Sequence, residues 1–202
     1  MPEGSRTGGA IAPTQSAAFR ALCNRLRNAG DPRLLAVAGA ASGDGADECA
    51  VNLAITLAER PGAKVLLVDA NPGDGPVAAL IGALPLLEPE GVVQEQRLEI
   101  RPAPLPPPVR LDFGRVVRAA GQASIDGPRL KANLLDLRRI AYDYIVIATP
   151  PVLASSDGNY IADAVDGVVL AARAGRSRAS GLSRASERLA PAPVLGVALL
   201  DV

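Results

Sequence analysis

The chain has 202 residues, of which 49% are hydrophobic, so it is long and apolar enough to form one globular domain with a sizeable core. Its 21 lysine and arginine residues balance 21 aspartate and glutamate residues, which excludes the broad basic surface of a nucleic-acid-binding protein, and we expect no nucleic-acid partner. Histidine is absent, and Cys23 and Cys49 lack metal-ligand spacing, which excludes a Ser-His-Asp triad and gives no reason to expect a metal site.

The sequence predicts a cytoplasmic protein. No uninterrupted apolar run approaches the roughly 20 residues of a membrane-spanning helix, and the first residues lack the charged and then apolar pattern of a signal peptide. Association with the inner membrane would therefore require a partner. Residues 1–14 are rich in Gly, Pro, Ser and Thr and predict a flexible tail. Residues 15–202 are expected to form the single domain.

The first predicted element is an amphipathic helix from about residue 15 to Gly30. Phe19, Leu22 and Leu26 recur at helical spacing, and glycine is common just past a helix end. The apolar run at 34–38 has no alternation, which is typical of a strand buried on both faces of a parallel sheet. The next predicted elements are a helix over 47–60, a strand over 64–69 and a short helix over 77–84.

The second half of the chain has less regular patterns. Residues 91–103 predict one or two strands, and the proline-rich run at 102–108 predicts a surface connection, since proline is unsuited to a central strand or a helix interior. The remaining predicted elements are helices over 111–120, 129–141 and 177–189 and strands over 144–149, 167–172 and 196–200. The alternation predicts a doubly wound α/β fold with a mostly parallel sheet of about five to seven strands.

The loop after the first predicted strand has the layout of a phosphate-binding P-loop, G-x-x-x-x-G-K-[ST]. In that motif glycine N–H groups hold the phosphates, the lysine neutralises them and the hydroxyl holds Mg²⁺. The segment here reads Gly39-Ala40-Ala41-Ser42-Gly43-Asp44-Gly45-Ala46-Asp47. Ala46 therefore stands at the lysine position and Asp47 at the hydroxyl position, so the backbone cradle is retained without its cation.

Two interpretations of this loop remain open. In the favoured one, Gly43 and Gly45 are turn glycines without a ligand. The carboxylates of Asp44, Asp47 and Glu48 then cap the free N–H groups of the following helix. In the other interpretation, the helix N-terminus still binds an anion.

Several polar residues elsewhere receive structural interpretations. Tyr144 lies in a predicted buried strand, so we expect a packing role rather than phosphorylation. Arg173, Arg176 and Arg178 follow a predicted strand and are expected to form a solvated face. The run Ser155-Ser156-Asp157 predicts a helix N-cap.

Five phrases carry a resemblance to a known family: AFRALCNRL, VLLVDA, YDYIVIATPPVLASSD, VDGVVLAARAG and PVLGVAL. In this order they resemble the bacterial tyrosine kinases, MinD/ParA-like P-loop proteins of capsule and exopolysaccharide export, over about residues 15–200. The resemblance implies a P-loop NTPase-like fold. It also implies the role of a cytoplasmic arm of a membrane polysaccharide co-polymerase, here expected as a separate chain.

Most of the family's nucleotide site is missing when it is carried over position by position. The D-x-D-x-R motif survives only at Asp69, with Asn71 and Gly73 at the other two places, and Asp69 alone is expected to cap a loop rather than to catalyse. The aspartate that precedes TPP corresponds to Ala148, and the asparagine that reads adenine corresponds to Leu200. The tyrosine-rich tail that the kinases phosphorylate is not expected either.

The resemblance and these losses together predict a non-catalytic pseudo-kinase without a cofactor. It would act on a membrane polysaccharide co-polymerase, or on its cytoplasmic tail, in the biosynthesis and export of a capsule or holdfast-like exopolysaccharide. The degenerate nucleotide site comprises Gly39, Ser42, Gly43, Asp44, Gly45, Ala46, Asp47, Glu48, Asp69, Ala148 and Leu200. The alternatives are a weakly active ATPase or tyrosine autokinase that uses ATP and Mg²⁺, and a sensor of another small anion.

Partner contacts are predicted on the first helix, at Phe19, Arg20 and Arg25. A homo-oligomer is a further expectation, because the family's kinases form rings through an E-x-x-R-x-x-R stripe on this helix. Ala17, Arg20 and Cys23 occupy the matching positions, so only the first arginine remains and rings of that type are not expected.

Overall fold

The computed structural model describes residues 13–72, 76–82 and 94–201. The helices are α1 (Pro13–Asn28), α2 (Ala46–Ala58), α3 (Pro76–Leu80), α4 (Gly127–Ile140), α5 (Asp157–Ala162) and α6 (Ala179–Leu189). The strands are β1 (Leu34–Gly39), β2 (Val65–Asp69), β3 (Arg97–Pro102), β4 (Leu111–Val117), β5 (Tyr144–Ala148), β6 (Gly167–Arg173) and β7 (Val194–Leu200). Residues 1–12 of the predicted tail lie outside the described part, as do Gly73 and residues 91–93.

One sheet of seven strands runs through the described residues, in the order β3-β4-β2-β5-β1-β6-β7. All neighbouring strands are parallel apart from β3, which is antiparallel to β4. The inner strands β1, β2 and β5 are buried at every position, as their unbroken apolar runs predict. The predicted doubly wound α/β fold is confirmed.

Helices cover both faces of the sheet and bury a separate apolar core against each face. On one face α2 packs against the sheet and α1 packs against α2, with Phe19, Leu53 and Leu57 in the core. On the other face α4, α5 and α6 enclose a core that includes Leu130 and Leu134. Phe19, Leu26 and Cys23 of α1 are buried, so its predicted apolar stripe faces the protein interior.

The predicted helix over 111–120 is wrong, because Leu111–Val117 is the strand β4. Its apolar residues are compatible with helical spacing, but the segment also contains Gly114 and two adjacent valines, which favour a strand. Pairing decides the outcome: β4 lies between β2 and β3, with Leu111 opposite Val65, and Phe113 is buried. These partners lie too far away in the chain for local spacing to reveal them.

The predicted N-cap at 155–157 is partly right. Helix α5 begins at Asp157, and Ser155 Oγ accepts a hydrogen bond from the Asp157 N–H at 3.1 Å. Asp157 itself is buried, and its carboxylate accepts from Arg118 at 2.6 Å and from the Ile125 N–H at 2.9 Å. Asp157 therefore joins α5 to the connection between β4 and α4.

The carboxyl ends of the parallel strands meet at one edge of the sheet, where the loops after β1, β2, β5 and β6 lie side by side. This edge is where ligands bind in open α/β sheets, and it places the P-loop-like segment beside Asp69 and Arg173. None of the helices in the described ranges is long and apolar enough to span a membrane.

Candidate functional site

The connection from β1 to α2 folds as a phosphate-binding loop does. Gly43 and Gly45 have φ values of 87° and 85°, which is the left-handed region that favours glycine. A Cβ at Gly45 would also clash with the side chain of Leu200, so two constraints require glycine there. Gly39 ends β1, and the exposed Ser42 lies at the tip of the loop.

An open cavity of about 710 Å³ lies against this loop. Its wall includes the loop residues 41–48, together with Asn71, Thr149 and Arg173. The cavity therefore occupies the position that the P-loop layout predicts for a nucleotide, and its polar groups decide what it can bind.

Asp44 stabilises the loop rather than the helix. One carboxylate oxygen accepts from the Ala41 N–H at 2.8 Å, and the other accepts from the Ser177 hydroxyl at 2.5 Å. The prediction that Asp44 caps the N–H groups of α2 is therefore wrong. Ser177 belongs to the loop after β6 and also accepts from the Arg173 N–H, so Asp44 connects the two loops at this edge.

Asp47, Asn71 and Asp69 form a hydrogen-bonded cluster at the cavity wall. The Asn71 side-chain amide donates to Asp47 Oδ1 and to Asp69 Oδ1, both at 2.9 Å, and the Asn71 backbone N–H also donates to Asp69 Oδ1. Asp69 thus caps its own loop, as predicted. Asp47 also accepts a hydrogen bond from its own backbone N–H in the first turn of α2, so its predicted capping role stands beside the contact with Asn71.

Burial raises the pKa of both carboxyl groups in this cluster. It brings the pKa of Asp69 to about 6, although the hydrogen bonds from Asn71 oppose the shift, and the nearby Asp47 carboxylate adds to it. Burial also raises the pKa of Asp47, and the Asn71 hydrogen bond opposes that shift. The cluster therefore places acidic groups, and no cation, on this side of the cavity.

The third carboxylate of the loop is neutralised by an arginine from β6. The Arg173 guanidinium lies 2.7 Å from the Glu48 carboxylate and also donates to the Asp201 carbonyl oxygen at 3.2 Å. The predictions that Glu48 caps α2 and that Arg173 belongs to a solvated face are therefore both wrong. Arg176 and Arg178 are exposed, as predicted, and the Arg176 guanidinium lies close to Gly43.

The remaining positions of the degenerate site carry no polar side chain. Ala46 is partly buried, and Ala148 is fully buried at the end of β5, between β1 and β2. Leu200 is buried in the apolar core and packs on Gly45. Within the described ranges, no cluster of three or more Cys, Asp or Glu side chains could hold a metal ion.

Comparisons with known proteins identify the fold. No family model matches the chain, and no curated protein does. The kinase domain of the Escherichia coli tyrosine kinase ETK superposes with a TM-score of 0.71 at 23% identity, covering 93% of this chain and 75% of that one. The VpsO kinase domain gives 0.72 at 23% identity, covering 94% and 95%. The chain has the fold of a bacterial tyrosine kinase domain.

A more distant likeness extends to the ParA type of ATPase. A ParA family ATPase from Chlorobium tepidum has a TM-score of 0.51 at 18% identity, and the match covers 84% of this chain and 72% of that chain. The resemblance stated from the sequence is confirmed in these structural neighbours. At such identities the comparisons establish the fold, while activity depends on the residues of the site.

In this kinase-type fold, the predicted partner-binding residues of α1 separate into two groups. Phe19 is buried in the core, so it packs and is not available to a partner. Arg20 is exposed and lies 3.5 Å from Glu59 of the same chain, and Arg25 is exposed. A partner contact at Arg20 and Arg25 stays a prediction.

Two contacts of the site leave no recognisable pattern in the sequence. Arg173 meets Glu48 across 125 residues, and Ser177 meets Asp44 across 133 residues. Because the strand order places β6 directly beside β1, their loops become neighbours only after folding. Only a prediction of the strand order could have suggested these two pairs.

Proposed function

We propose that this protein is a non-catalytic pseudo-kinase that acts by contact on a membrane polysaccharide co-polymerase, or on its cytoplasmic tail, in exopolysaccharide biosynthesis and export. The exopolysaccharide setting rests on the family resemblance of the five sequence phrases, and the kinase-type fold supports it. The absence of catalysis rests on the residues around the cavity.

The observation that carries the proposal is the Asp47 carboxylate at the hydroxyl position of the P-loop, fixed by Asn71 beside Asp69. Two unit charges about 4 Å apart interact by roughly 4 kcal/mol at an effective dielectric of about 20. With alanine at position 46, that attraction for a phosphate is lost, and Asp47 adds a repulsion of similar size when ionised. Each ~1.4 kcal/mol changes affinity tenfold, so binding of ATP in the family's pose is strongly disfavoured.

The residues present also do not fit the magnesium ion that the fold family uses. Mg²⁺ prefers oxygen ligands in an octahedral arrangement. Position 148 offers only a methyl group, buried between strands, and the hydroxyl at position 47 is replaced by a carboxylate that hydrogen-bonds Asn71. The site therefore lacks the ligands for phosphoryl transfer through Mg²⁺.

One observation favours the alternative of a weakly active ATPase or tyrosine autokinase. The loop backbone retains its left-handed glycines, and the N-terminus of α2 lies at the open cavity, so main-chain N–H groups remain available for an anion. Glu48 already neutralises the nearby Arg173, so Arg173 would not replace the missing lysine.

Calorimetric titration of the full chain with ATP in the presence of Mg²⁺ tests the absence of catalysis. We expect no binding heat at millimolar nucleotide, and no phosphotyrosine on the protein after incubation. Binding accompanied by phosphotyrosine would replace the proposal with the autokinase alternative.

Crosslinking in native membranes, followed by capture of the tagged chain, tests the partner. We expect a membrane polysaccharide co-polymerase to be crosslinked by the parent protein. The recovery should fall for Arg20→Glu and Arg25→Glu but not for Arg184→Glu, a matched exposed arginine on α6. Failure to recover any co-polymerase would contradict the proposed role while leaving the result for ATP unaffected.

A further inference from the structure

The two edges of the sheet differ in how they are protected against pairing with another chain. Exposed strand edges are commonly protected by charged side chains or proline. The edge strand β3 reads RLEIRP and follows this rule, with Arg97, Glu99, Arg101 and a terminal Pro102. The opposite edge strand β7 reads VLGVALL and contains no charged residue and no proline.

Two large apolar side chains of β7 are exposed. The exposed fraction is 55% for Val197 and 69% for Leu199, whereas Leu200 on the other face is buried. Val197 and Leu199 lie opposite Leu170 and Ala172 of β6, so they share one face of the sheet. Among the described helices, α6 covers the adjoining part of that face but leaves these two side chains in solvent.

The backbone of the same two residues faces the open side of the strand. The Leu200 carbonyl oxygen accepts from the Ala174 N–H at 2.8 Å, so it points toward β6. Because the N–H and C=O groups of successive strand residues point to opposite sides, Ala198 also faces β6. Val197 and Leu199 therefore direct their N–H and C=O groups away from the sheet. Apolar side chains and free backbone groups coincide at these positions.

We propose that β7 pairs antiparallel with β7 of a second copy of this chain, about a two-fold axis at Ala198. This register places Val197 of each copy opposite Leu199 of the other, with the hydrogen-bonding groups of both residues directed at each other. Four exposed apolar side chains then pack on one face. On the other face the two Ala198 side chains meet, and their small size permits close approach.

Self-complementarity is the reason to choose a second copy as the occupant. A two-fold interface requires one surface to match itself, and the sequence GVALL does so around its central alanine.

The expected dimer is weak. A contact confined to one short strand falls below the roughly 1,200 Å² at which stable interfaces begin. Association should therefore depend on concentration, and one charge placed at the edge should prevent it.

Sedimentation velocity over a micromolar to millimolar concentration series tests the interface. We expect the parent chain to shift from monomer toward dimer as concentration rises, and Val197→Lys to remain monomeric with an unchanged melting temperature. Ile140→Lys, at an exposed apolar residue of α4, serves as the matched control and should dimerise as the parent does. A parent that stays monomeric throughout, or a Val197→Lys variant that still dimerises, would overturn the proposal.

A crosslink tests the register. Ala198 forms a non-hydrogen-bonded pair across the proposed axis, with a Cα–Cα distance of about 4.5 Å, which lies within the disulfide range of about 4.4–6.8 Å. In Ala198→Cys, two thiols would lose two electrons and two protons to added diamide and form a dimer joined by a disulfide. Ser183→Cys is the control and should crosslink much less, because this exposed position lies on α6, outside the strand contact. The native Cys23 and Cys49 are buried and should not contribute. Equal crosslinking of the two variants would contradict the register.

Discussion

At the scale of single residues, the site is defined by the carboxylates of a loop that has the backbone conformation of a phosphate-binding loop. Asp44, Asp47 and Glu48 each have a different partner: Ser177 and a loop amide, Asn71, and Arg173. Each contact satisfies a carboxylate that would otherwise repel its neighbours at the same helix end. The loop therefore keeps its left-handed glycines, with paired carboxylates around it instead of a lysine and a hydroxyl.

The raised pKa of Asp69 predicts how stability depends on pH. The pKa is about 6 in the folded protein against 3.8 for an unperturbed aspartate, so the folded state binds the proton more tightly. The stability from this group is fully present below about pH 4 and is lost as the pH rises through about 6. A difference of about two pKa units corresponds to ~3 kcal/mol.

Asp69→Asn should remove this component, because the amide is uncharged at every pH and its oxygen can still accept from Asn71. We expect the variant to lose less stability than the parent between pH 4 and pH 7, measured by urea unfolding at each pH. Asp136→Asn, at an exposed residue of α4, is the control and should keep the parent's dependence. An unchanged dependence in Asp69→Asn would show that Asp69 does not titrate in this range.

The double variant Ala46→Lys, Asp47→Ser should regain affinity for phosphate. It restores the cation and the hydroxyl of the P-loop and removes a carboxylate next to the cavity. Without ligand it should melt below the parent, because Asn71 loses its acceptor at position 47 and the lysine adds a positive charge at the N-terminus of a helix. Calorimetry with ADP and thermal melts measure both effects.

Hydrolysis of ATP should not return in the double variant, because Ala148 still offers no oxygen ligand. The comparison is with a triple variant that also carries Ala148→Asp, checked for folding because position 148 is fully buried. If the double variant hydrolyses ATP as fast as a folded triple variant, then Ala148 is not the missing metal position.

At the scale of elements, α1 combines a buried face with an exposed basic face. Phe19 and Leu26 pack into the core, and Arg20 and Arg25 face solvent. The ion pair of Arg20 with Glu59 joins two side chains that are 62% and 39% exposed, so it contributes little, typically below ~1 kcal/mol. Packing therefore holds α1 in place and leaves its arginines available.

Phe19→Ala and Arg25→Glu should consequently have different effects. Truncation of a buried phenylalanine typically costs ~3–5 kcal/mol, so Phe19→Ala should strongly lower the urea midpoint. Arg25→Glu should leave the midpoint nearly unchanged and should lower recovery of the partner in crosslinked membranes. If Phe19→Ala is as stable as the parent, Phe19 does not hold α1 against α2.

At the scale of the whole molecule, one sheet separates two apolar cores. Leu53 lies in the core under α2 and Leu134 in the core under α4, and both are fully buried. Since both cores share the same strands, neither helix layer can keep its packing when the sheet is lost. The molecule should unfold as one unit.

Leu53→Ala and Leu134→Ala should therefore each shift a single unfolding transition. Both should destabilise by ~2–5 kcal/mol, the usual cost of a Leu→Ala change in a core. Coincident far-ultraviolet circular dichroism and calorimetric transitions in both variants would agree with this expectation. Two separate transitions in either variant would show that the helix layers unfold independently.

The sequence by itself determined the parts of this protein that depend on nearby residues. The unbroken apolar runs predicted β1, β2, β5 and β6, and the glycine spacing predicted the loop before α2. The missing lysine and hydroxyl at 46 and 47 were visible without any structure. These features depend on local backbone conformation and on burial, both of which leave a regular pattern along the chain.

Only the tertiary structure decided the features that depend on distant partners. Residues 111–117 become a strand because β2 and β3 pair with them, which overrides their local preference. Arg173 meets Glu48 because β6 lies beside β1, although the two residues are 125 positions apart. The unprotected edge at β7 likewise follows from its place in the strand order. Strand order sets these contacts, and strand order arises from packing across the whole chain, which local sequence patterns do not encode.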